Sequence, residues 1–343
     1  MNKKAKKGVL LVQLGTPDAP STPEVRRYLT EFLMDGRVMD IPYMGRSLLV
    51  KGVIVPKRAA KSAETYATIW DKDNGSPLMY YSVQQQKMLQ EALGEEYHVE
   101  LAMRYQNPSI ESALKKMEGM FLDSIKVIPL FPQYASATSG SVIDKVMEIM
   151  RTWQYIPSVS FVSSFCEDDL MVETYAEHAR KHDIDSFDHI LFSYHGLPVR
   201  QLGKVDPTGQ LQCPPTGCDT CKKETNPFCY LSQCYATTRA IAKKLDLPED
   251  KFSVCFQSRL GKTPWIEPYT SDALHDLAHK GAKRLLVFSP AFVADCIETL
   301  DEIQVEYAEE FKEMGGEEVA MVESLNENPR WIESLKRLVL SNS

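Results

Sequence analysis

Short apolar runs, each closed by a turn, recur along the chain in one fixed order. "GVLLVQLGTP" (8–17) and "HILFSYHGLP" (189–198) both read as a strand ended by a Gly-x-Pro corner. Next come "HVELAMRYQNP" (98–108) and "FSVCFQSRLGKTP" (252–264), each followed by a helical pattern, over 109–121 and 271–280. A third pair, "IKVIPLFPQYASATSGS" and "KRLLVFSPAFVADCIETL", repeats strand, proline and helix start. "SVSFVSSF" and "EVAMVESL" form a fourth pair, each leading into a helix.

Strand alternating with helix at this spacing predicts parallel sheets covered on both faces, because parallel strands need crossovers and bury both sides. The fold class is therefore α/β, with two similar Rossmann-like lobes over 1–165 and 166–343, the terminal helices free to exchange between them. Ligands in such sheets sit beyond the carboxyl ends of the strands, which puts the active site in the cleft between the lobes. His195 stands at one such end, aligned with Leu14 of the first repeat. The fold itself thus asks for no histidine there.

Composition narrows the partners. Of 343 residues, 43% are hydrophobic and 25% charged, with a formal net charge of -8, which excludes broad nucleic-acid binding because that needs a cationic surface. The basic start "MNKKAKKGVLLVQLG" runs directly into the first strand, which reads as cytoplasmic. No window approaches the roughly 20 apolar residues of a bilayer span, so membrane contact would be peripheral.

After "RLLVFSP" the carboxylates Asp295, Glu298, Glu302 and Glu306 are spaced by 3, 4 and 4, which on an α-helix stacks them on one face. Carboxylates of that kind bind and pass on a divalent cation, and a facing neutral imidazole suits Fe(II), Zn or Co(II). His178 and His182, four apart, have metal-capable spacing but read as a solvated face, and the remaining histidines, His275 and His279 among them, lack a partnered carboxylate row.

The blocks "QLGTPD", "FPQYASATSGS", "SYHGLP", "FQSRLGKTPWIEPYT", "SPAFVADCIETLDEI" and "ESLNENP" together resemble ferrochelatase, which inserts Fe(II) into a porphyrin in haem synthesis. The resemblance implies His195 as the active-site histidine, Glu298 as its paired glutamate, and Asp295 and Glu302 as further substrate-metal ligands. It also implies a porphyrin pocket with Arg104, Tyr105, Trp265, Leu14 and Arg46, protoporphyrin IX as the favoured ring, and a lip over that pocket at about 36–58. The lip mixes apolar residues with Arg37, Arg46, Lys51, Lys57 and Arg58, donors for anionic propionates and for a membrane surface. Where some relatives carry histidine this chain has Cys296, to which no role is assigned. Metal insertion displaces two pyrrole protons, so a base is needed near the ring centre, and an imidazole titrates close to neutral pH. His195 and Glu298 are expected to confront each other across the gap between lobes. The readings weighed against this one are a cobalt chelatase and a non-catalytic tetrapyrrole- or metal-binding protein.

One segment, 207–234, has no counterpart in the first repeat. Its Cys213, Cys218, Cys221, Cys229 and Cys234 follow C-x4-C-x2-C-x7-C-x4-C. The spacing suits either a [2Fe-2S] cluster or tetrahedral zinc. Some ferrochelatases carry a [2Fe-2S] cluster on an internal cysteine-rich segment, and the resemblance implies one here on four of the five, with Cys218, Cys221, Cys229 and Cys234 the favoured set. Cys166 and Cys255, in or beside apolar strands, read as packing residues.

Overall fold

A computed structural model describes residues 6–209, 226–261 and 263–341. The chain divides into two units, 1–131 with 136–164 and 326–343, and 132–135 with 165–325.

In the first unit, β1 (Lys7–Gly15) leads through α1 (Thr22–Met34) to α2 (Tyr43–Leu49). A π-helical stretch, Val50–Ile54, joins α2 to α3 (Val55–Ile69), and α4 (Pro77–Leu93) precedes β2 (Tyr97–Tyr105). Then follow α5 (Ile110–Glu118), β3 (Ser124–Pro129), α6 (Ser141–Met150) and β4 (Ser158–Phe161). The four strands form one sheet in the order β2-β1-β3-β4, parallel throughout. Central β1 is apolar on both faces because both are covered: Val9, Leu10, Leu11 and Val12 are all fully buried.

The second unit repeats this plan. It holds α7 (Asp169–Ala179), β5 (His189–His195), α8 (Val199–Lys204), α9 (Tyr230–Lys244), β6 (Phe252–Gln257) and α10 (Thr270–His279). After β7 (Arg284–Phe288) come a π-helix (Glu298–Tyr307), α11 (Ala308–Glu313) and β8 (Glu318–Met321). Its sheet order, β6-β5-β7-β8, is the same and again parallel. The four strand pairs read from the sequence are thus the four equivalent strands of two sheets.

The boundary at 166–343 needs correcting at its far end. The C-terminal helix Pro329–Leu340 belongs to the first unit, where it packs on α4. Its apolar stripe, Trp331, Ile332, Leu335 and Val339, is buried there. The Lys126 ammonium, from β3, donates to the carbonyls of Leu338 at 3.2 Å and Ser341 at 2.5 Å, a cation on the negative end of that helix.

Candidate active site

The carboxyl ends of β5 and β6, together with the segment after β7, bring the second unit's polar residues together. His195 is the last residue of β5 and remains half-buried. Its Nδ1–H donates to the carbonyl of Gly196 at 2.7 Å, the assignment that leaves Nε2 with its lone pair free. The indole of Trp265 lies beside the ring, centroids 6.4 Å apart. Gly196 permits that approach, since a Cβ there would lie 2.9 Å from the Gln257 carbonyl oxygen and 3.1 Å from the Trp265 ring. Behind the turn, the buried Tyr230 of α9 donates its hydroxyl to the His195 carbonyl at 2.8 Å.

Glu298 opens the π-helix and interacts electrostatically with the His195 imidazole. Burial raises its pKa above the usual glutamate value. The Cys296 thiol and the imidazole oppose that rise, and the Glu302 charge adds to it. Burial and the neighbouring Glu298 push the Cys296 thiol well up in turn, so it stays protonated and donates to the Glu298 carboxylate. The residue left without a role thus holds the acid in place. His195 and Glu298 both belong to the second unit, so their confrontation lies within one unit rather than across a gap between two.

Further along the acidic row, Glu302 is held by donors from within the second unit. Glu302 Oε1 accepts from the Ser258 N–H at 2.9 Å and the Tyr307 hydroxyl at 3.1 Å. Its Oε2 accepts from Gln257 Nε2 at 2.9 Å and Ser258 Oγ at 2.6 Å. Four donors use the lone pairs of this carboxylate, making Glu302 an anchor for the helix. Asp295, 5% exposed, precedes the helix and accepts from the Thr299 hydroxyl at 3.1 Å.

Gln257 and Ser258, which the sequence reading did not single out, organise this end of the sheet. Gln257 also donates to the Glu298 carbonyl at 3.1 Å and accepts from the buried Ser193 hydroxyl at 2.8 Å. Ser258 takes a φ of 64°, a left-handed conformation unusual for serine, and thereby aims both its N–H and its hydroxyl at Glu302. The available signal was position: both follow an apolar strand, as His195 does.

In the first unit three of the implied porphyrin residues are otherwise engaged. Tyr105 is fully buried and its hydroxyl donates to Asp35 at 2.9 Å, so it presents no surface to a ring. Arg104 donates to Asp35 at 2.7 Å and to the Ser141 hydroxyl at 2.7 Å, which neutralises its charge within the lobe. Burial alone would raise the pKa of Asp35, but hydrogen bonds from Ser141, the Arg37 N–H, Arg104 and Tyr105 leave it lowered. Arg46 spends Nη1 on the carbonyls of Met39 at 3.1 Å and Ile41 at 3.0 Å, stapling the base of the lip. Leu14 remains half-buried at the carboxyl end of β1. Exposed on the lip are Tyr43, Met44, Leu48 and Val53, with Lys51, Lys57 and Arg58 among them.

Of the five clustered cysteines, Cys213, Cys218 and Cys221 lie outside the described residues. Cys229 caps the N-terminus of α9 and is buried, and Cys234 is wholly buried on the same helix, near the Tyr230 and Tyr194 hydroxyls. Cys166 and Cys255 are buried, and burial pushes the Cys255 thiol up to about 11.

Comparison with known proteins places the chain in a family. The ferrochelatase family model matches residues 6–343. A ferrochelatase of Pseudomonas fluorescens biotype C is 44% identical over 332 residues, 96% of each chain. One from Legionella pneumophila strain Lens is 40% identical over 341 residues, 97% of this chain and 98% of its own. Among solved structures, Bacillus subtilis SirB with Fe3+ superposes with a TM-score of 0.52 at 12% identity, covering 97% of this chain and 94% of its own. The sirohydrochlorin chelatase SirB of Bacillus subtilis subspecies spizizenii, in complex with cobalt, gives 0.51 at 9% identity, covering 96% and 92%. At those identities the two structures speak for the fold alone.

Proposed function

The chain belongs to the ferrochelatase family and inserts Fe(II) into a porphyrin in haem synthesis, and from that premise we propose that His195 and Glu298 form its insertion pair. The observation that carries this reading is that the two lie in one unit and interact electrostatically, with the histidine's Nε2 unengaged by its Gly196 bond.

The chemistry asks for two proton acceptors and a way to hold a partly dehydrated cation. With Nδ1–H fixed on the Gly196 carbonyl, Nε2 is the lone pair that takes one pyrrole proton. The imidazolium so formed is stabilised by the adjacent Glu298 carboxylate. Glu298 is the second acceptor, because a carboxylate whose pKa is raised by burial is a stronger base than one in water. Before transfer the same two groups offer one nitrogen and one oxygen donor to Fe(II), a set that suits a borderline cation. Trp265 bears on the ring from the side, and bending the macrocycle to expose its nitrogens requires strain of about 1–5 kcal/mol drawn from binding elsewhere. The test separates binding from insertion: porphyrin fluorescence titration and initial Fe(II) insertion rates, measured on variants at both positions. Unaltered rates at either position would overturn the pair.

In the first unit, the exposed Lys51, Lys57 and Arg58 are the cations offered to propionates, in place of Arg104 and Arg46. Their mixture with exposed Tyr43, Met44 and Leu48 supports peripheral contact with an anionic membrane, the lip lying at the headgroup level. Among the described residues no helix is long and apolar enough to cross a membrane. Flotation with anionic liposomes is expected to carry the protein upward and to lose it when Met44 and Leu48 are both changed to serine. Protein left at the bottom of the gradient rejects the contact.

For the cysteine-rich segment the proposed group is a [2Fe-2S] cluster, which when bound would supply structural order or a redox-sensitive site rather than insertion chemistry. Cys229 fits a ligand role, standing at the helix start next to the other cysteines in sequence. Cys234 fits poorly: it lies five residues further along α9, turned well away from Cys229 around the axis and packed near two tyrosines. The ligand set supported is therefore Cys213, Cys218, Cys221 and Cys229. Anaerobically purified protein is expected to show sulfur-to-iron charge-transfer bands in the visible, lost in Cys229→Ser and kept in Cys234→Ser. Colourless wild-type protein rejects the cluster, and colour lost in both Cys229→Ser and Cys234→Ser restores the set favoured from sequence.

A further inference from the structure

On the surface of the second unit, His275 and His279 stand four apart on α10 with their Nε2 atoms 3.0 Å from one another. The two rings are exposed, with centroids 4.2 Å apart. Two imidazole nitrogens can face each other so closely only if one carries the proton and the other accepts it. A divalent cation takes the place of that shared proton once the donor ring adopts its other tautomer, with the proton on Nδ1. With metal–nitrogen bonds of about 2.0–2.1 Å, a 3.0 Å separation subtends an angle of about 90–95° at the metal, the cis angle of octahedral or square geometry.

The surroundings are anionic. Glu310, half-buried on the adjoining α11, interacts electrostatically with His275, Asp272 and Glu313. Such a field concentrates cations at the two nitrogens. By contrast, the pair singled out from sequence does not meet: α7 ends at Ala179, so His182 falls in the next turn, and the buried His178 donates Nδ1–H to the Glu323 carbonyl at 3.1 Å.

We propose that His275 and His279 chelate a first-row divalent cation of the Fe(II), Co(II), Ni(II) class through their two Nε2 atoms, with Glu310 as the nearby carboxylate and water completing the shell. Among the described residues no group of three such side chains is already gathered around a metal position, so the site is a two-nitrogen chelate. It is independent of the insertion pair: α11 continues the π-helix that begins at Glu298, so Glu310 lies at the opposite end of that helical run.

Isothermal calorimetry with Ni2+ on the full chain tests it. Wild-type protein and His195→Ala are expected to share one Ni2+ site that His275→Ala and His279→Ala each weaken roughly tenfold or more. The double variant should lose no more than either single one, because a chelate needs both nitrogens. Binding by the cysteine-rich segment is common to all five proteins and cancels. Both positions are exposed, and where alanine lowers the melting temperature, glutamine at each position repeats the titration. Isotherms that superimpose on wild type, dependence on only one of the two histidines, or loss of the same site in His195→Ala would overturn the proposal.

Discussion

Replacing His195 with alanine is expected to lower the turnover of Fe(II) insertion by about 10²–10⁴-fold, the range for loss of a positioned acid–base group, while porphyrin affinity changes by less than about threefold. The expectation rests on the imidazole's fixed orientation: Nδ1 is committed to Gly196, so no other atom of the residue can do the work of Nε2. Added imidazole should restore part of the rate in the space left beside Trp265. Initial rates and fluorescence titration on the same preparation measure both effects. A fall in affinity as large as the fall in rate would show that His195 holds the ring and does not take its protons.

Glu298→Gln keeps the size of the side chain and removes its charge and basicity. Turnover is expected to drop by about 10²-fold or more, again with little change in porphyrin affinity. Stability should move the other way. Folding raises the pKa of Glu298, so the charged form is disfavoured in the native state. The stability this group contributes is full below its unfolded pKa of about 4.3 and is lost as pH rises through the folded value. Glutamine has no such loss. The variant should therefore melt above wild type at neutral and alkaline pH, with the gap closing towards pH 4. An enzyme both slower and more stable marks a residue kept for chemistry at the cost of stability. A variant less stable at every pH would make Glu298 a structural residue, and the pair would fail.

Architecture was legible in the sequence because it rests on period and order. Apolar runs such as Val9–Val12 can be buried on both faces only in the middle of a parallel sheet, and their repetition set out both sheets. The place of His195 at the end of a strand was legible from the apolar run that precedes it. What could not be read was engagement. Arg104, Tyr105 and Glu302 have the right side chains for a pocket or a metal, yet Asp35, Ser258 and Gln257 from distant segments occupy them. The same limit hid His275 and His279: their spacing equals that of His178 and His182, and only the helix boundaries decide which pair meets.

The route of the chain between its units sets an order of assembly. Residues 165–325 contain every strand of the second sheet, so that unit has nearly all its parts once they have left the ribosome. The first unit begins earlier but waits for Pro329–Leu340 to be synthesised, since Trp331, Ile332 and Leu335 complete its packing. During synthesis the face of α4 that receives them stays uncovered. A nascent chain stalled before residue 329 would therefore carry a closed second unit and an open first one, a form for chaperones to hold and proteases to find.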